Sequence, residues 1–235
     1  MDFSFCPVLD DLLKTQRAVG ASGKTFEGLG ALSTVNNLAV LRSLMLERRP
    51  EFTLEVGFSY GGSALAIAAT HRDLGRAGSR QHTVIDPYQV DGWDSAGLAA
   101  IGRAGLGAFV DFRSEPSALA LPALLRQERR YGLIYIDGSH FFDDVFVDAY
   151  YGFRLLADDG VMLFDDCTTD HVAKVVKFIT TNWDNWTSEV DLSGHRPGGA
   201  TLKYRVARKL NRIQLRAFRR RGADTRRWDA PLQPF

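Results

Sequence analysis

Apolar positions along the chain follow two spacings, which predict helices and strands in alternation. Helical spacing over 7–19 and 33–48 predicts two N-terminal helices, the second capped by Ser33 or Thr34 and ended by Pro50. The predicted strands that follow cover 52–56, 82–85, 107–112, 133–136 and 161–164, and the helices between and after them cover 61–72, 95–104, a segment starting near Pro116, 143–156 and 169–181. This alternation indicates an α/β fold with a parallel sheet and helices on both faces.

The spacing changes after residue 185. Residues 185–192 and 199–206 predict two strands joined by a glycine-rich connection, which is an antiparallel hairpin. Residues 205–221 carry apolar positions at helical spacing with bases on the other faces, and predict a basic amphipathic helix. The sequence therefore predicts three parts: an N-terminal helical segment over 1–50, a core over 51–206 and a basic tail over 207–235.

Composition is that of an ordinary globular protein, with 235 residues, 45% hydrophobic and 24% charged. The two cysteines, Cys6 and Cys167, are too few for a disulfide framework and lack metal-ligand spacing. Two free thiols, no basic leader and no apolar run of about 20 residues predict a cytoplasmic protein.

The formal net charge of +1 conceals an uneven distribution. Residues 203–235 hold eleven Lys and Arg against two acids, whereas the remainder of the chain has an excess of acids. A basic tail of this kind can bind an anionic membrane surface, an acidic partner, or the acidic body of its own or a neighbouring subunit, as in a homo-oligomer. It can also be a solvated helix packed on the core. Nucleic acid is disfavoured, because the bases do not surround the predicted pocket.

A glycine-rich turn follows the first predicted strand. The segment runs from Leu54 to Leu65 and spaces its glycines as Gly-x-x-x-Gly-Gly, with Gly57 and Gly61 four residues apart. This spacing differs from the Gly-x-Gly-x-x-Gly that a dinucleotide pyrophosphate requires. It favours an adenosine ligand without phosphate, such as S-adenosylmethionine (SAM). Asp86, at the end of the second predicted strand, could accept the ribose hydroxyls.

Three aspartates follow the fourth and fifth predicted strands: Asp137, Asp165 and Asp166. Strand ends of a parallel sheet share one edge, so three like charges would meet there and repel one another. Mg²⁺ or another divalent cation would neutralise them with oxygen ligands. The alternative is an Asp-rich turn satisfied by capping and solvent.

His140 lies three residues after Asp137. Histidine titrates near neutral pH and can take a proton from a hydroxyl group. We therefore expect His140 to be a general base, with a structural hydrogen-bonding role as the alternative.

Together these motifs resemble the class I SAM-dependent methyltransferases over about residues 33–206. The similarity is greatest to the bacterial branch that includes metal-dependent sugar O-methyltransferases of macrolide assembly, and the site layout also resembles catechol O-methyltransferase. The resemblance implies a Rossmann-like fold with a seven-stranded, mostly parallel sheet ending in an antiparallel hairpin. His140 stands where catechol O-methyltransferase has a lysine base, and Asp166 where it has an asparagine.

The resemblance also implies a role for each motif residue. The implied cofactor contacts are Glu55 and Gly57 at the methionine end, Ser59 and Gly61 as space for the backbone, Asp86 at the ribose, Ser114 near the adenine, and Asp137. Asp137, Asp165 and Asp166 would hold Mg²⁺, and His140 would be the base. The expected activity is O-methylation of a small hydroxylated acceptor, of the sugar or natural-product type. The alternative is a cofactor-binding regulatory or interaction protein that acts through its basic tail.

Overall fold

Helices and strands alternate along the computed structural model, which describes residues 2–199, 201–210 and 212–235. The helices are α1 (Pro7–Thr15), α2 (Val35–Arg48), α3 (Gly62–Asp73), α4 (Ala96–Arg103), α5 (Ser117–Arg126), α6 (Phe142–Leu155), α7 (Asp170–Asn182) and α8 (Leu202–Lys209). The strands are β1 (Arg17–Val19), β2 (Thr25–Glu27), β3 (Thr53–Val56), β4 (His82–Ile85), β5 (Val110–Arg113), β6 (Tyr131–Ile136), β7 (Leu156–Phe164), β8 (Thr187–Val190) and β9 (Arg216–Arg220). The predicted alternation is confirmed from α2 to β8.

Seven of these strands form one sheet in the order β5-β4-β3-β6-β7-β9-β8. The pairs β3–β4, β4–β5 and β6–β7 are parallel, whereas β9 runs antiparallel to both β7 and β8. The predicted class, a Rossmann-like, mostly parallel seven-stranded sheet with helices on both faces, is therefore confirmed.

The prediction that residues 199–206 form the second strand of the hairpin is wrong. Residues 202–209 form α8, and the strand that pairs with β8 is β9 at 216–220. The side chain of Thr201 accepts a hydrogen bond from Tyr204 N and caps the helix. Leu202 and Val206 are exposed whereas Tyr204 between them is buried, which a helix allows but a strand, with all three on one face, does not.

The predicted basic helix over 205–221 is wrong in its second half. Ala217 and Phe218 of β9 are buried within the sheet. Arg216 forms a two-point ion pair with Glu189 of β8, at 2.8 Å for each hydrogen bond. Pairing across strands therefore prevails over the helical pattern there. Ala200 of the predicted hairpin and Asn211 of the predicted helix lie outside the described residues.

A short hairpin, β1 with β2, follows α1 and was not predicted. The helix predicted over 7–19 ends at Thr15, where Gln16 adopts a left-handed conformation with φ 52°. Each strand of this hairpin has three residues, which is too short to show an alternating pattern.

The described residues form two compact units. The first comprises residues up to 116 together with 195–197, and the second comprises 117–194 together with the residues from 198 onward. The core of the first is built around α3, whose residues are almost all buried. An aromatic cluster fills the second, with Phe153 packed edge-on against Trp183 and Trp186. The three-part division at residues 50 and 206 stays a prediction.

Among the described residues, no helix combines the length and the apolar character needed to cross a bilayer.

Candidate functional site

The glycine-rich loop of the first unit begins where β3 and β4 end side by side. Val56 and Ile85 are partners in the parallel register, and Gly57 N donates to Ile85 O at 2.9 Å. The loop therefore runs next to Asp86, which follows Ile85. Gly61, with φ +83°, precedes the first residue of α3. The structure thus places Gly57, Gly61 and Asp86 at the same edge of the sheet, as the sequence suggested.

Asp86 ties this loop to the next one. Its Oδ2 accepts hydrogen bonds from Phe58 N and Ser59 N, both at 3.1 Å, and its Oδ1 accepts one from Tyr88 N at 2.7 Å. The residue is 5% exposed. The carboxylate therefore already orders the loop through backbone amides, and its predicted contact with a ribose stays a prediction.

Two buried polar atoms at this loop have no partner among the described residues: Ser59 Oγ and Gln89 Oε1. The amide nitrogen of Gln89 donates to Ser59 O at 2.7 Å and holds the two residues together. A buried polar atom without a hydrogen bond costs roughly 1–3 kcal/mol. A polar ligand at the loop would remove that cost, so these residues fit a nucleoside cofactor. Gln89 was not predicted, because it belongs to no motif.

The loop also contacts α4 very closely. A Cβ atom added to Gly97 would lie 2.8 Å from Ser59 O and 3.1 Å from Gln89 Oε1. A Cβ atom on Gly61 would lie 3.1 Å from Gly97 Cα. Glycines at both positions therefore allow α4 to approach the loop, which is a role for Gly61 in addition to the predicted one.

Glu55 lies beneath the loop and is fully buried. Its Oε1 accepts a hydrogen bond from the Ser63 hydroxyl, and its Oε2 lies 3.0 Å from His82 Nε2. Burial raises the pKa of Glu55 to about 8 and lowers the pKa of His82 to about 3. Burial therefore disfavours the charged form of both groups and favours a neutral pair.

This pair continues into a longer buried chain. Thr53 Oγ1 lies 3.0 Å from His82 Nδ1 and 2.9 Å from His71 Nε2. The chain accounts for the polar atoms of Glu55 without any ligand. The contact between Glu55 and the methionine end of a cofactor therefore stays a prediction. Ser114, which follows β5, is exposed, and its predicted place near the adenine also stays a prediction.

The second unit brings together a different set of side chains. Ile136 and Phe164 are partners in the parallel register of β6 and β7, so the residues after both strands lie at one edge. There Asp137, His140 and Asp166 each offer one possible ligand atom, and these atoms lie within 4.8 Å of one another. His140 Nε2 is 2.9 Å from Asp166 Oδ2.

The electrostatics of this cluster favour a cation. Two carboxylates so close together repel each other unless a positive group lies between them. Carboxylate oxygens suit Mg²⁺ and Mn²⁺, and imidazole nitrogen suits other divalent metals. His140 is about half exposed and Asp166 about one-third, so an ion can reach the cluster from solvent. The donor set therefore fits a divalent cation.

Asp165 is not in this cluster. It is 5% exposed, and its carboxylate accepts hydrogen bonds from the Tyr135 hydroxyl and from Asp166 N. Asp165 and Asp166 both lie beyond the end of β7, and Asp166 has a left-handed backbone conformation with φ 50°. The structure thus groups Asp137 with Asp166 and His140, and the ligand role of Asp165 stays a prediction.

One residue that was not predicted as a site residue contacts the cluster. Gln214 Nε2 donates to Asp166 Oδ1 at 3.3 Å, and Gln214 O accepts from Cys167 N at 2.8 Å. Gln214 is distant from Asp166 along the chain, and no sequence signal connected the two.

Residues 54–167, just under half of the chain, match the family model described as a methyltransferase domain. No curated protein sequence matches the chain significantly. Among solved structures, the chain is similar to an O-methyltransferase from Bacillus cereus in complex with S-adenosylhomocysteine (SAH). That similarity has 18% identity, covers 78% of this chain and 82% of the other, and has a TM-score of 0.58.

Two further structures are similar over more of the chain. The SAM-bound O-methyltransferase TomG from Streptomyces achromogenes, involved in tomaymycin synthesis, has 12% identity, 94% and 90% coverage and a TM-score of 0.63. The SAH-bound methyltransferase PaMTH1 from Podospora anserina has 16% identity, 94% and 88% coverage and a TM-score of 0.61. The family model supports a methyltransferase domain over residues 54–167, and the solved structures share the fold of this chain. The matched domain contains the glycine-rich loop, Asp137, His140 and Asp166, whereas Gln214 and α8 lie beyond it.

Proposed function

We propose that this protein is a SAM-dependent O-methyltransferase that acts on a small hydroxylated acceptor. The observation that carries the proposal is the cluster in which His140 and Asp166 form a hydrogen-bonded pair beside Asp137. A protein that only bound SAM would have no need of such a pair, so the alternative of a purely regulatory or interaction protein is not favoured.

The first unit would bind the cofactor. Its loop from Gly57 to Gly61 supplies close backbone approach, and Ser59 Oγ and Gln89 Oε1 are available to hydrogen-bond a nucleoside. Asp86 holds the loop in this shape through the backbone amides of Phe58 and Ser59. Bound SAM supplies an electrophilic methyl group, so the task of the protein is to orient the acceptor and remove its proton.

His140 would remove that proton. With its Nε2–H donating to Asp166 Oδ2, the imidazole presents Nδ1 as the free basic nitrogen. Asp166 fixes this tautomer and stabilises the imidazolium that forms, and Gln214 fixes Asp166. A positioned base of this type contributes roughly 10²–10⁴-fold to the rate.

Asp137 and Asp166 would hold a divalent cation, with Mg²⁺ as our first choice and Asp165 as a further ligand after local rearrangement. Such a cation lowers the pKa of a hydroxyl group that it binds. The acceptor class, a sugar or a natural product, follows from the resemblance of the motifs to bacterial sugar O-methyltransferases. The two buried free cysteines support our proposal of a cytoplasmic location.

The direct experiment measures methyl transfer from labelled SAM to a panel of small vicinal diols and phenols. The matched variant is His140→Asn, which keeps a polar side chain without a basic nitrogen. We expect turnover by the wild type, a loss of at least a hundredfold in the variant and unchanged SAH affinity. Full turnover in the variant would remove His140 from the mechanism, and a wild type that binds SAH but is inert toward the whole panel would argue against the acceptor class.

A further inference from the structure

Helix α8 places its apolar residues toward solvent. Leu202 is 77% exposed, Val206 51% and Leu210, the residue that ends the helix, 60%. Their spacing of four residues aligns them along one face of the helix. The opposite face carries Tyr204, which is only 7% exposed. A surface helix normally has the reverse arrangement, with its apolar residues inward.

Basic residues border this apolar face on both sides. At about 100° per residue, Lys203 lies on one flank and Arg205 and Lys209 lie on the other. All three are exposed, and among the described residues none of them is paired with an acid. Arg208 is the exception, because it forms an ion pair with Asp191 at 2.6 Å.

An open cleft of about 450 Å³ lies next to this flank. Its lining residues are Asp191, Ser193, Tyr204, Arg205, Arg208 and Lys209. Three of the six are bases, and the one acid is already neutralised by Arg208. The cleft therefore has the size and charge to accept an anionic headgroup.

We propose that α8 is an interfacial helix through which the protein binds reversibly to an anionic lipid bilayer. Leu202, Val206 and Leu210 would enter the region between headgroups and acyl chains, while the flanking bases and the adjacent cleft contact anionic headgroups. Exposed apolar residues bordered by lysine and arginine are the pattern of helices that lie in a membrane surface. Contact between two copies of α8 is disfavoured, because it would bring like charges together.

The proposal is independent of the methyl-transfer function, since it concerns residues outside the matched domain. Its test is co-sedimentation of the full chain with vesicles. One set contains phosphatidylcholine alone, and the other contains phosphatidylcholine with about one-third phosphatidylserine. We expect binding to the second set only, with an affinity that decreases as salt increases.

Two variants separate the apolar and the electrostatic contributions. Replacing the three apolar residues together (L202S/V206S/L210S) is expected to weaken vesicle binding about tenfold or more. Replacing the three unpaired bases (K203Q/R205Q/K209Q) is expected to weaken it about a hundredfold, at about fivefold for each base. The matched control is Leu119→Ser on α5, which is 61% exposed and should bind as the wild type does. Unchanged melting temperatures exclude unfolding as the cause.

Three results would overturn the proposal. The first is equal binding to both sets of vesicles, or to neither. The second is full vesicle binding by the L202S/V206S/L210S variant. The third is that the wild type is a dimer in sedimentation equilibrium and binds no vesicles, whereas the L202S/V206S/L210S variant is a monomer. This result would show that a second copy of the chain covers α8.

Discussion

The proposed chemistry depends on a few side chains whose roles can be tested one at a time. Asp166 is the most informative of these residues to replace, because one of its carboxylate oxygens contacts His140 and the other accepts a hydrogen bond from Gln214. Asp166→Asn keeps the size of the side chain and removes its charge. We expect kcat to decrease by about 10²–10⁴-fold while SAH affinity stays the same. The control is Asp158→Asn, an exposed aspartate at the start of β7, and an equal loss of kcat there would contradict the assignment.

A second prediction concerns Asp148, a buried aspartate on α6. Its Oδ1 has no partner among the described residues, and burial raises its pKa to about 7. Because the pKa in the folded state lies above that in the unfolded state, the stability of the protein decreases as pH rises from about 4 to about 7. Asp148→Asn removes the buried charge.

We expect Asp148→Asn to increase the free energy of unfolding by about 2 kcal/mol at pH 8 and to change it little at about pH 4. Urea unfolding at both pH values measures this difference. Asp158→Asn is again the control, since it is solvent-exposed. A destabilised Asn variant at pH 8 would show that the carboxylate at residue 148 is needed in its charged form.

At the scale of elements, the important contact is the one between α4 and the glycine-rich loop. A side chain at residue 97 would meet Ser59 O and Gln89 Oε1. We expect Gly97→Ala to cost about 1–3 kcal/mol of stability and to weaken SAH binding, because the loop must move. The same helix offers a matched control. A Cβ atom on Gly102 meets nothing within 4 Å, so Gly102→Ala should be neutral or stabilising.

Thermal unfolding and SAH titration of both variants measure these effects. Equal SAH affinity for Gly97→Ala and the wild type would show that the packing of α4 does not shape the loop.

Elements with a strong periodic signal were predictable from sequence, and those set by distant pairing were not. The bounds of β4 agree with the prediction, since its apolar residues are followed directly by Asp86 and Pro87. The end of the sheet was predicted wrongly, because β9 carries three arginines among five residues and is stabilised by its neighbours β7 and β8. No local pattern distinguishes such a strand from a basic helix.

The same distinction applies to the candidate site. The sequence predicted which residues follow the strands, and the structure places them at the corresponding edges of each unit. It could not predict which neighbours engage each carboxylate. Asp165 accepts a hydrogen bond from Tyr135, and Asp166 accepts one from Gln214. Asp86 accepts hydrogen bonds from three backbone amides. These partnerships depend on side-chain direction, which composition and spacing do not specify.

At the scale of the whole molecule, cofactor binding should stabilise the folded protein. A ligand at a hundred times its Kd adds about 2.7 kcal/mol to the free energy of unfolding when it binds the folded state alone. For a chain of this size, we expect SAH at that concentration to raise the melting temperature by about 5–10 °C. Adenosine monophosphate, which lacks the sulfur-bearing arm, is the control ligand and should have a much smaller effect.

The most direct test of the central claim is calorimetric titration of the wild type with SAH, with and without Mg²⁺. We predict one site per chain in both cases, and an additional heat of Mg²⁺ binding that Asp166→Asn abolishes without changing SAH affinity. Absence of SAH binding under either condition would contradict the proposed function. Binding of SAH without any binding of Mg²⁺ would contradict the cation site alone and leave His140 and Asp166 to act without a metal.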